Sequence, residues 1–144
     1  MAYKRDLVEA DQIFFDADRL IRYAIYEGSP TAEQIAALAV VPVNVAGWEL
    51  SWTMRKKVSG AALIEKSTTE GGIAIVGVYD PDPMVNTQRV VVTIEDIDTY
   101  DPTVDPVVNI KPGNYVYALK RLDEGAETPL AYGALLLLKT AGWE

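Results

Sequence analysis

Strict alternation over residues 47–57, GWELSWTMRKK, is the feature that most limits what this chain can become. Trp48, Leu50, Trp52 and Met54 alternate with Glu49, Ser51, Thr53 and Arg55. Successive side chains of an extended backbone point to opposite faces, so this spacing predicts a half-buried β-strand with its aromatic face inward. The pattern recurs along the chain. QRVVVTIE (88–95) sets Val90, Val92 and Ile94 on one face, and RLIRYAIYE (19–27) does so with Ile21, Tyr23 and Ile25. AALIEKST (61–68) and GIAIVGVY (72–79) are shorter apolar runs, bounded by the glycine-bearing breaks KVSG and TEGG. KPGNYVYALKR (111–121) launches Tyr115, Tyr117 and Leu119 from a Pro-Gly turn, and PLAYGALLLLK (129–139) returns after the break DEGAE at 123–127.

One stretch departs from this rhythm. SPTAEQIAALAV (29–40) is rich in Ala, Glu, Gln and Leu. Thr31 with Gln34 fits a capping box, and Ser29 with Pro30 fits an N-cap followed by proline at the first helical position. One short helix is therefore predicted near 30–38. A further helical turn fits IEDIDTYD (94–101), with Pro102 and Pro106 preventing its extension. Seven to eight short strands with a single short helix predict an all-β antiparallel sandwich, since a parallel α/β fold needs several crossover helices. A closed barrel is disfavoured because no long apolar interior face repeats around the chain. With 144 residues, no internal repeat and no linker, residues 1–144 are expected to form a single domain. A domain near that size buries roughly 70% of its unfolded surface.

Composition removes several kinds of chemistry. The chain has neither Cys nor His, so disulfides, ordinary zinc sites and the Ser-His-Asp and Cys-His constellations are out of reach. Ser51, Ser59 and Ser67 have Lys56, Lys57 and Lys66 nearby in sequence, but exposed strand faces and turns account for these residues more simply. No glycine-rich phosphate loop is present. The expectation is a protein that is not an enzyme, with no cofactor and no metal. The net charge of −8 argues against nucleic acid as a partner. No segment approaches the ~20 apolar residues of a membrane helix, so no membrane partner is expected either. Two features point to binding. Asp96, Asp98, Asp101 and Asp105 in the stretch 95–105 offer oxygens suited to calcium, although the EF-hand pattern fails, with Asp101 at position six and Val107 at position twelve. Capping of turns is the simpler role for them. Trp143, in TAGWE beyond the last predicted strand, is the candidate partner-binding residue, because aromatics are enriched at interface hot spots.

Three segments in order, at 6–27, 41–57 and 110–138, carry a further pattern. Together they resemble small immunoglobulin-like β-sandwich structural proteins of tailed bacteriophages and prophages, similar to the N-terminal domain of phage baseplate upper proteins. The loose family pattern places V-D-L-T-G-W before a strand ending in basic residues, then P-G-x-Y-x-Y-x-L-x-R and a returning strand. This chain has Val43-Asn44-Val45-Ala46-Gly47-Trp48 at the first element, and Ala10-Asp11 where a Gly-Asp is usual. The match is in turn and core signatures. It implies a virion structural protein, soluble in the host cytoplasm before assembly. Its partners would be other phage virion proteins, met in many copies in a symmetric assembly at the tail, baseplate, neck or capsid surface. The alternative is a carbohydrate- or calcium-dependent module that binds a host surface.

Overall fold

A computed structural model describes residues 12–28, 30–123 and 128–139. In chain order the elements are β1 (Gln12–Phe14), β2 (Arg19–Tyr23), α1 (Ala32–Ala36), β3 (Leu50–Arg55), β4 (Ala62–Ser67) and β5 (Ile73–Val76). They continue with β6 (Arg89–Ile94), α2 (Asp96–Thr99), β7 (Tyr100–Asp101), β8 (Val108–Asn109), β9 (Gly113–Arg121) and β10 (Thr128–Leu138). One sheet has the order β1-β10-β9-β3-β4, a second has β2-β6-β5, and β7 and β8 form a small separate pair. The two larger sheets pack face to face around one core as a β-sandwich. All neighbours are antiparallel except β1 and β10, which run parallel.

The alternation read from the sequence sorts side chains as expected. Leu50, Trp52 and Met54 of β3 are buried, as are Val90, Val92 and Ile94 of β6 and Tyr115, Tyr117 and Leu119 of β9. Immunoglobulin domains commonly join their sheets by a disulfide packed on a buried tryptophan. Here three aromatics from three strands occupy the interior. Trp52 of β3 donates its indole N–H to the Tyr23 hydroxyl of β2 at 2.9 Å, across the gap between the sheets. The Tyr117 ring of β9 stacks on Trp52 with centroids 6.3 Å apart, and lies 6.4 Å from Tyr23. Gly133 faces Tyr117 across β9 and β10, and a Cβ there would sit 3.4 Å from the tyrosine ring. Two residues earlier, the Tyr115 hydroxyl donates to the Lys111 carbonyl and pins the entry to β9, the corner typical of such sandwiches. Burial pushes the Tyr115 phenol above its ordinary pKa.

The predicted capping box is present: Gln34 N–H donates to Thr31 Oγ1 at 3.1 Å, and Thr31 N–H to Gln34 Oε1 at 2.8 Å. The alternative cap, Ser29, lies outside the described residues, as does most of the break at 123–127. The short helical turn at α2 also forms where the sequence allowed it. Three details differ from the sequence reading. β2 ends at Tyr23, and beyond it the chain turns to the 41–43 segment, where Tyr26 bridges Pro42, Val43 N–H donates to the Ile25 carbonyl and Glu27 N–H to the Val41 carbonyl. Trp48 precedes β3 and is half-buried, covered by the Arg121 guanidinium 3.8 Å from its ring. The short strands β1, β7 and β8 are additional.

Trp52→Ala should cost about 3–5 kcal/mol, since truncating a buried aromatic loses transfer energy and leaves a cavity. Tyr23→Phe should cost about 1–3 kcal/mol by stranding the indole N–H. Denaturant unfolding measures both, and a loss below about 1 kcal/mol for Trp52→Ala would contradict this packing.

Candidate functional site

Period two that buries one face of β3, β9 and β10 turns the other face outward. Register then sets rows across the sheet: Thr53 beside Ala118 beside Tyr132, and Arg55 beside Val116 beside Ala134. Small Ala118 lies between the taller Thr53 and Tyr132, so the middle of the face sinks into a groove of about 490 Å³. Val58, from the turn after β3, and Tyr132 stand at its edges, 85% and 78% exposed. Arg55 and Lys120 are the charged residues lining this groove. The Arg55 guanidinium is held by the Gly60 carbonyl at 2.7 Å, a neutral acceptor that leaves its charge in place. A shallower depression of about 370 Å³ adjoins it, sharing Thr53, Arg55 and Lys120, with Glu49, Glu65 and Glu70 in its wall.

A second constellation stitches the loop between α1 and β3 to the loop after β5. Buried Gln88 accepts from Val45 N–H at 3.0 Å and donates to Asn44 Oδ1 at 3.1 Å. The Tyr79 hydroxyl donates to the Pro42 carbonyl at 3.2 Å, and Asn86 Oδ1 accepts from Asp80 N–H at 3.1 Å. These bonds fix a projecting tip where Met84 and Val85 are 78% and 56% exposed.

The sites suggested by the sequence are distributed differently. Trp143 lies outside the described residues. Asp96, Asp98 and Asp101 serve separate local tasks. Asp98 accepts from Glu95 N–H and pairs with Lys66 at 2.7 Å, while Asp96 accepts from Ile97 N–H. Asp101 accepts from the Thr103 hydroxyl and N–H, which holds its carboxyl below the ordinary value. Among the described residues no three acidic side chains gather as a metal site, and no helix is long and apolar enough to cross a membrane. Ser67 Oγ accepts from Glu70 N–H, and neighbouring Lys66 is paired with Asp98. In the basic run at 55–57, Arg55 donates to the Gly60 carbonyl, and exposed Lys56 reaches the Asn114 carbonyl at 3.1 Å and lies 4.7 Å over the Tyr115 ring. The groove was not foreseen, although alternation within 129–139 already set Tyr132 opposite to Leu135 and Leu137.

No family model matches the chain, and no curated protein matches it. Among solved structures, murine CRIg is similar with a TM-score of 0.37 and 10% identity, covering 92% of this chain and 94% of that one.

Gln88→Ala should destabilise the fold by about 1–3 kcal/mol, because it strands the buried Val45 N–H and releases the Asn44 side chain. Denaturant unfolding checks this. An effect within about 0.5 kcal/mol would mean that the stitching contributes nothing.

Proposed function

We propose that this chain is a non-enzymatic structural protein of a tailed-phage particle, one that docks on other virion proteins through the outer face of its five-stranded sheet. The observation that carries the docking surface is the groove beside Tyr132, where apolar walls and two cations lie on a chain of net charge −8. The phage setting rests on the three resembling segments at 6–27, 41–57 and 110–138. A sandwich joined from within suits such work, because its outer faces and loops are free for contact while the scaffold stays rigid. Buried aromatics at the centre of an interface, with arginine near them, are where binding energy concentrates.

Tyr132→Asp should leave the melting temperature nearly unchanged, since the side chain is exposed, and should lower occupancy in purified particles. The expected loss in docking is about 2 kcal/mol or more if Tyr132 acts as an anchor. Full occupancy of the variant would contradict docking through this face. Binding to host-cell surface glycans with no incorporation into particles would favour the host-surface module instead.

A further inference from the structure

The groove has a defined chemistry, and the same chain carries its complement elsewhere on its surface. Apolar walls from Val58, Val116, Ala118 and Tyr132, with the Arg55 guanidinium held by a neutral carbonyl, suit a short apolar projection flanked by negative charge. The tip DPDPMV at 80–85 has that composition: Met84 and Val85 project, and Asp80 and Asp82 lie beside them. We propose that the groove receives the 80–85 tip of a second copy of this chain. This rests on the sheet-face docking reading and names its occupant.

Three observations support the pairing. The tip is already shaped: Asp82 N–H donates to Asp80 Oδ1 at 2.8 Å and Met84 N–H to Asp82 Oδ1 at 2.9 Å. Val85 and Asn86 N–H both donate to the Asp82 carbonyl, while Pro81 and Pro83 restrict the backbone further. A loop ordered in advance loses little entropy on docking. The charges are complementary, since these bonds use only one oxygen of each carboxylate and leave the other for a cation such as Arg55. Methionine is also the apolar side chain best able to fill an irregular groove. The tip does not line the groove of its own molecule, so the contact is head-to-tail, from the tip of one copy to the groove of another. Repeated in one direction it yields rings or filaments, and made reciprocally it closes a two-fold pair. The net charge of −8 on each copy opposes this in dilute solution, so association should be weak and should strengthen with concentration.

The test pairs two faults. Met84→Asp spoils the tip and Tyr132→Asp spoils the groove; Met84→Ser and Tyr132→Ser provide a milder pair if either aspartate variant melts early. In sedimentation velocity the unaltered protein should associate as concentration rises, stopping at dimers where the contact is reciprocal and continuing beyond them where it is not. Each variant alone should bind itself about tenfold or more weakly. Their mixture should form a heterodimer and stop there, because one intact groove meets one intact tip. A mixture that stays monomeric while the unaltered protein associates would overturn the head-to-tail contact in favour of face-to-face packing. An unaltered protein that stays monomeric at every concentration would overturn the inference outright. In that case reduced particle occupancy of Tyr132→Asp would leave the sheet-face reading standing, and full occupancy would remove both.

Discussion

A hydrogen bond from the Trp52 indole to the Tyr23 hydroxyl crosses the interior and ties the two sheets together. With no cysteine in the chain, non-covalent contacts hold the sheets together. A buried indole N–H needs an acceptor, and β2 supplies it from a residue that also packs against Tyr117. Aromatic pairs in such geometries contribute about 0.5–1.5 kcal/mol beyond their buried area. Removing a native disulfide from a small secreted domain typically costs about 2–5 kcal/mol, so a cluster of three rings is of comparable weight.

Cohesion from within shapes what remains available outside. The same strands that point Trp52, Tyr117 and Leu135 inward present Thr53, Ala118 and Tyr132 to solvent, so the groove is a direct consequence of the core. Polar side chains act in the same way at the loops. Gln88 and Asn86 are buried and bonded, and they turn two long connections into one stitched unit with an apolar tip. Groove and tip are therefore both held by the scaffold before any partner arrives. A protein that works by contact benefits from that order, because less freedom is lost on binding.

Much of this was legible in the sequence. Alternation identified β3, β6 and β9 and the buried face of each, and Thr31 with Gln34 marked the start of α1. What alternation reports is a face, never a neighbour. That Trp52 meets Tyr23, or that Lys66 pairs with Asp98, depends on how the sheets stack. The groove was hidden for the same reason, because it needs the register that puts Ala118 between Thr53 and Tyr132. Short β1 was missed because three residues pairing parallel with β10 carry almost no periodic signal. The acidic stretch 95–105 looked like an ion site on composition, yet Asp96, Asp98 and Asp101 bond to nearby backbone and to Lys66. Local capping competes with metal binding for the same oxygens, and only geometry separates the two.

Hydroxyl-radical footprinting of the protein free and in purified particles tests docking through the sheet face most directly. Tyr132 and Met84 are each 78% exposed, and both side chains oxidise readily. Docking of the tip of one copy into the groove of the next predicts that both become strongly protected in the particle, while exposed Val78, 73% accessible, changes less. Equal oxidation of Tyr132 in the free and assembled protein would contradict the central claim that this face is where the chain meets its partners.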